Sequence, residues 1–141
     1  MRLTRAGEYA IRCALHLAGL KPGRLASRRE IAQAMEIPYQ FLGKIGPKLA
    51  EAGLIRIVQG AQGGYGLARA SDQITLLDVV EAVEGRIFLN ECLMYEDSCS
   101  RSRTCPVHRA WNRAGQALRA ELARASLADL VQESLSTKGR P

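Results

Sequence analysis

Residues 27–53 carry apolar positions at helical spacing from end to end, yet Pro38 forbids a single helix across them. The residue before a proline is pushed out of helical geometry, so Glu36-Ile37-Pro38 reads as a turn. Upstream, Ser27-Arg28-Arg29-Glu30 has the form of a capping box, and Ile31, Ala32, Ala34 and Met35 form the expected buried side. Downstream, Pro38 opens a second helix that Gly53 closes as a left-handed cap. In that second helix Gln40, Gly43, Lys44 and Lys48 share one face, opposite Phe41, Leu42, Ile45 and Leu49. Two short helices joined by a tight turn, the second polar and basic on one side, form a helix-turn-helix signal. Pro47 lies inside the second helix and removes a backbone hydrogen bond, so a bent or split element is expected.

The flanking segments fit the same plan. Residues 54–69 alternate like two strands around a glycine-rich tip, Gly60 to Gly64, which predicts a β-hairpin wing. No helix follows those glycines directly, so a phosphate-cradling loop is excluded. Residues 3–20 predict a first helix capped by Thr4, with Leu3, Ala6, Ala10, Cys13, Ala14, Leu17 and Leu20 inward. Cys13 falls in that stripe and reads as a core thiol, with His16 on the exposed side. Thr75 and Asp78 cap a further helix whose buried set is Leu76, Leu77, Val79, Val80 and Val83.

Charge narrows the partners. The chain of 141 residues has a formal net charge of +6, which favours a polyanion because neutralised phosphates release counterions. Aromatics are 5%, with none of the aromatic–basic interleaving that single-strand binders use to stack bases. No apolar run approaches the ~20 residues of a membrane span, and the charged N-terminus argues against a signal peptide. A cytoplasmic protein is expected. No nucleophile–base arrangement or nucleotide loop points to an enzyme.

One stretch is left over: ECLMYEDSCSRSRTCPVHRAW, from Glu91 to Trp111. It sets Cys92, Cys99 and Cys105 in a polar loop, with His108 one turn past the last thiol. In a cytosolic chain such thiols are metal ligands or redox groups more often than disulfides. Their spacings are loose for a zinc knuckle and suit a loop around a larger cluster. From Pro106 a long helix follows, with Val107, Trp111, Ala114, Leu118, Leu122 and Ala125 on a narrow, near-heptad seam for a partner helix. Ser126 to Asp129 predicts a last short helical turn, and residues 134–141 a frayed tail.

The opening MRLTRAGEYAIR, the AGL before the wing, GGYGLAR, ITLLDVVEAVEG and the three-cysteine loop together resemble the Rrf-two family of winged-helix regulators. The resemblance runs to about Gln132, on the side of the family's iron–sulfur (IscR-like and NsrR-like) members. It implies a homodimeric bacterial transcriptional regulator of double-stranded DNA, with binding modulated by a two-iron or four-iron cluster on Cys92, Cys99 and Cys105. For the fourth ligand it offers two positions. His108 matches the C-x-x-H of IscR-like members, and Glu8 the carboxylate that NsrR-like members lend from the opposite subunit. Gln59 stands where members often have a wing arginine, so Arg56 or Arg69 would have to supply minor-groove charge.

The expected fold is therefore mainly α with a small β-hairpin wing: a winged helix-turn-helix (1–85), then a cysteine loop and dimerisation helix (86–141). On the DNA face, Tyr39, Gln40, Gly43 and Lys44 begin the recognition helix. Gln40 and Lys44 suit base edges, while Lys48, Arg28 and Arg29 suit phosphates. A two-fold dimer would read an inverted-repeat operator. The competing reading keeps the fold and gives the loop zinc or a thiol switch; an electron carrier has less support.

Overall fold

The computed structural model describes residues 2–95 and 97–139. Helices α1 (Arg5–Ala18), α2 (Arg28–Met35) and α3 (Tyr39–Glu51) precede strands β1 (Ile55–Val58) and β2 (Gly64–Leu67). A 3-10 turn at Ser71–Gln73 leads to α4 (Leu76–Glu84), α5 (Glu91–Met94), α6 (Pro106–Arg124) and α7 (Leu127–Lys138). The architecture is mainly helical with one antiparallel hairpin, pairing Ile55 with Leu67 through to Val58 with Gly64.

Helix α1 is the central rod. Thr4 caps it by accepting the Gly7 N–H, and its inner face buries Tyr9, Ala10, Cys13, Ala14 and Leu17. Glu84 from α4 accepts hydrogen bonds from the Thr4 N–H (2.9 Å) and hydroxyl (2.6 Å). A Cβ at Gly7 would collide with that carboxylate, so the glycine permits the close approach of α4 to α1. His16 departs from expectation. It is half-buried rather than exposed, with Nε2 3.6 Å from Glu30 Oε1, because α2 packs over that side of α1.

The helix-turn-helix forms as its local signals require, with three corrections. Ser27 accepts the Glu30 N–H at 3.1 Å, but the reciprocal half of the capping box is absent among the described residues. The Glu30 carboxylate instead takes Arg24 at 3.0 Å, a stronger charged partner than a backbone N–H. Ile31 is fully buried and Ala32 and Met35 partly, whereas Ala34 is exposed, because an eight-residue helix buries only a narrow stripe. Glu36 ends α2 in the left-handed region (φ 53°), and Arg12 donates to the Met35 and Glu36 carbonyls at 3.3 and 3.2 Å. A guanidinium there satisfies helix-end carbonyls and complements the dipole. Helix α3 is continuous through Pro47 rather than split. Gly43, four residues back, is exposed, so its carbonyl is left to solvent instead of being buried without a donor.

Tyr65 joins the wing to this unit. Its backbone exchanges hydrogen bonds with Ala26, just ahead of α2 (2.9 and 2.8 Å), and its hydroxyl donates to the Leu42 carbonyl at 3.1 Å. The phenol oxygen lies 2.6 Å from where a Cβ at Gly46 would stand. A Cβ at Gly64 (φ +149°) would stand 2.6 Å from the Ala26 carbonyl oxygen, so the wing glycines serve backbone contact.

The C-terminal end differs most from the sequence reading. Helix α7 runs to Lys138, so most of the supposed frayed tail is helical; Arg140 and Pro141 lie outside the described residues. Ser126 caps it by accepting the Asp129 N–H. Leu76 N–H donates to Ala125 O and Leu127 N–H to Ile74 O, at 2.8 and 2.9 Å, and Leu127 is fully buried. That extended bridge returns α7 to α1, and tertiary packing completes a helix of weak amphipathicity. Helix α6 meets α4 through Arg119, which donates to both Glu81 oxygens at 2.8 and 3.1 Å.

Two predictions follow from these joints. Tyr65→Phe should cost about 1 kcal/mol for the lost hydrogen bond, and Gly46→Ala about 1–3 kcal/mol by overpacking. The double variant should cost less than the sum of the two, since removing the hydroxyl frees part of the space a Cβ needs; urea unfolding measures all three. Glu81 is held below the ordinary carboxylate range, chiefly by hydrogen bonds from Arg119. Its stabilising contribution is thus present above the unfolded carboxylate value and lost as pH falls through the depressed one. Protection of α6 amides, with the intrinsic exchange rate divided out, should fall across that acid window in the wild type, and Glu81→Gln should lessen that fall.

Candidate functional site

The exposed face of α3 presents Tyr39, Gln40, Gly43, Lys44 and Lys48, while Leu42, Ile45 and Leu49 are buried beneath. The division follows the helical period, as the spacing implied. Two cations on this face lie over aromatic rings. Lys44 Nζ lies 5.5 Å from the Phe41 centroid, and the Arg28 guanidinium carbon 4.5 Å from that of Tyr39. Phe41 in turn meets Tyr9 edge-on at 4.9 Å, which ties the face to the core.

A groove of about 420 Å³ runs between α2, α3 and the wing, lined in part by Arg28, Arg29, Tyr39, Gly43, Pro47 and Gln59. The structure thus brings the two arginines of α2 beside the recognition helix and the wing tip. Gln40, Lys44 and Lys48 stand on the exposed surface of α3 beside it. Arg56 is elsewhere. It lines a separate cleft of about 340 Å³ on the far side of the wing, with Lys21, Arg24 and Arg69. On a two-stranded ribbon neighbouring side chains alternate faces, so Arg56 and Ile57 point opposite ways. Lys21 and Arg24 were not picked out from sequence; the basic residues flanking Pro22-Gly23 were the available signal.

The cysteine loop is partly drawn together. Cys92 on α5 lies with Sγ 3.3 Å from His108 Nδ1. Cys105 is the N-cap of α6, its sulfur accepting the His108 N–H at 3.4 Å, and Pro106 starts the helix. Cys92 and His108 line a hollow of about 360 Å³ with Asp97, Ser102, Arg103 and Asn112. The Ser102 hydroxyl is buried there without a partner among the described residues. Cys99 is exposed on the loop and joins neither contact, and no group of three or more His, Cys, Asp or Glu is gathered among the described residues. Glu8 is exposed in the first turn of α1 and makes no hydrogen bond to the loop among the described residues. The donor types, three thiols and an imidazole within one loop and the helix it caps, fit an iron–sulfur cluster in chemistry, and of the thiols Cys92 alone lines the hollow with His108. Cys13 is distinct. It is fully buried, and desolvation pushes its thiol up to about 12, which makes it inert.

Along the outer face of α6, Val107, Trp111 and Ala114 are exposed, and Leu118 and Leu122 are half-buried. A Trp 42% exposed on a helix that is apolar along one stripe is an unpartnered seam.

Fold and recognition face together define a winged helix-turn-helix transcriptional regulator. The family model described as Rrf2, iron-dependent transcriptional regulator, matches residues 3–133, and the chain belongs to that family. It is a family of transcriptional regulators rather than enzymes. A Haemophilus influenzae protein named as an HTH-type transcriptional regulator is 31% identical over 133 residues, covering 94% of this chain and 88% of the relative. CymR, the global cysteine regulator of B. subtilis, is 28% identical with a TM-score of 0.76, over 94% of this chain and 98% of its own. T. potens IscR has a TM-score of 0.80 at 22% identity, over 100% of this chain and 93% of its own, a likeness of fold. No helix among the described residues is long and apolar enough to cross a membrane.

Proposed function

We propose that this chain is a cytoplasmic, homodimeric bacterial regulator that binds an inverted-repeat operator in double-stranded DNA. In this reading an iron–sulfur cluster sets its affinity or site choice. The observation that carries the DNA reading is the single groove uniting Arg28, Arg29, Tyr39, Gly43 and Gln59 beside the exposed Gln40, Lys44 and Lys48. Helix α3 enters the major groove with its N-terminal half toward the bases. Gln40 and Lys44 reach base edges, Lys48 and Arg29 hold phosphates, and the wing lies along the backbone with Gln59 leading. The exposed seam of Val107, Trp111 and Ala114, continued by Leu118 and Leu122, supports pairing through α6.

Cys92, Cys99 and Cys105 would hold the cluster, with His108 or the opposite subunit's position 8 completing it. When bound, the cluster supplies a redox-active and labile iron centre. The chain's own contribution is to carry loop order to the DNA face. Cys105 caps α6, Arg119 of α6 grips Glu81 of α4, and Glu84 of α4 grips Thr4 of α1. Helix α1 in turn holds the helix-turn-helix through Arg12. Residues 1–85 act as the DNA-binding unit and 86–141 as sensor and dimer arm, with α7 bracing the two. A second reading, a thiol switch or zinc site, draws on Cys99 standing apart and on the Cys92–His108 contact, an imidazole beside a thiol.

Anaerobic purification after expression with ample iron, followed by absorption spectroscopy and iron and sulfide analysis, separates these readings. Iron and sulfide with a visible charge-transfer band are expected; a colourless protein with stoichiometric zinc overturns the cluster. His108→Ala and Glu8→Ala spectra then assign the fourth ligand by which variant shifts the band. On DNA, Lys48→Ala should weaken binding to all sequences alike and lower the salt slope by about 1. Gln40→Ala should relax preference at one base position of each half-site. Uniform loss from both variants would refute the division into base reader and phosphate anchor.

A further inference from the structure

Gly43 leaves a gap on the recognition face of α3, and a side chain from another helix fills it. Arg28 is the first residue of α2, and its guanidinium crosses to α3, 4.5 Å from the centroid of the Tyr39 ring. Its Nη2 lies 2.7 Å from where a Cβ at Gly43 would stand, nearer than a real Cβ allows. Tyr39 and Gly43 are one turn apart in the N-terminal half of α3, the part of a recognition helix that reaches base edges. The guanidinium therefore occupies the place that a side chain at position 43 would take.

It is also unspent. No hydrogen bond or ion pair among the described residues takes up any of its five donors, although Arg24 four residues earlier is paired with Glu30. The Nε is buried without an acceptor among the described residues, leaving the terminal Nη groups to meet a partner from outside. The guanidinium lies over the Tyr39 ring, which restrains the side chain and spares part of the ordering cost a free arginine incurs on binding. A planar fork with free donors, lining the groove beside the recognition helix, matches the paired O6 and N7 acceptors of guanine.

We propose that Arg28 reads a guanine in the major groove, acting as the side chain that α3 lacks at position 43, with Tyr39 and Gly43 as its positioning residues. This rests on the DNA-binding reading above and replaces the phosphate role that sequence gave Arg28. The test is selection of operators from randomised duplexes by the full-length protein. Titrations of Arg28→Ala, Arg28→Lys and Gly43→Ala follow on the selected site and on a copy with the guanine changed.

The wild type should select a guanine in each half-site. Arg28→Ala should bind that site about 10- to 100-fold more weakly and lose the preference, with little change on the altered copy. Arg28→Lys keeps the charge and should still lose discrimination, since it lacks the fork. Gly43→Ala favours helix and displaces only the flexible end of Arg28, so it should blunt the preference without lowering the melting temperature. If Arg28→Ala weakens every sequence by one factor with a lower salt slope, Arg28 is a phosphate anchor and the proposal falls. A wild type that selects no sequence would overturn the DNA-binding reading and the proposal together; operator selection without that guanine preference would overturn only the proposal.

Discussion

Tyr65 is the point on which the geometry of the recognition unit depends. Its main chain fastens the segment ahead of α2, its hydroxyl fastens α3, and its place in β2 fastens the wing. Three elements are therefore fixed by one residue of a two-stranded hairpin that would be marginal alone. The arrangement requires glycine at positions 46 and 64, where a Cβ would press on Tyr65 and on the Ala26 carbonyl. Burial and the hydroxyl hydrogen bond act together here. The ring is 4% exposed, and its oxygen has an acceptor, so no polar atom of the joint is stranded.

Helix α4 plays the complementary part on the other side of α1. Its two glutamates point to different partners, Glu84 to the N-cap of α1 and Glu81 to Arg119 of α6. Glu81 also accepts the Ile87 N–H at 2.8 Å, so one carboxylate sets both the exit of the chain from α4 and the docking of α6. Such a half-exposed ion pair contributes little to stability, and its value lies in direction. It gives α6 one bearing on the DNA-binding unit, which matters if two copies of α6 are to set the spacing of two recognition helices.

Most of the fold was legible because its signals are local. The break at Pro38, the caps at Thr4, Ser27 and Thr75, the alternation of the hairpin and the apolar period of α3 each act within a few residues. What escaped was set by distant packing. Whether Ala34 is buried, and whether His16 faces solvent, depends on the angle at which α2 crosses α1, which periodicity does not encode. The length of α7 depends on a bridge between Thr75 and Ser126, residues far apart in the chain, and its own sequence is weakly amphipathic. In the site, Arg28 and Arg56 were named by charge alone. Their destinations, one against α3 and one in the far cleft, follow from helix crossing and strand face.

The distribution of charge supports the proposal that the α3 face meets a polyanion. Ion pairs among the described residues use Glu30, Glu81 and Glu121, none of them on α3. Between Glu36 and Glu51 the sequence contains no acid, while Lys44 and Lys48 lie in that interval and Arg28 and Arg29 fold beside it. These four cations have no ion-pair partner among the described residues, and exposed like charges repel one another weakly through screening water. The core beneath, Leu42, Ile45 and Leu49, holds the helix regardless of its surface. On the proposed reading, a phosphate backbone would supply the missing counter-charge, and release of its counterions would drive association. Specificity would then come from the groups restrained before contact, and on this face the side chains lying over Phe41 and Tyr39 are the restrained cations.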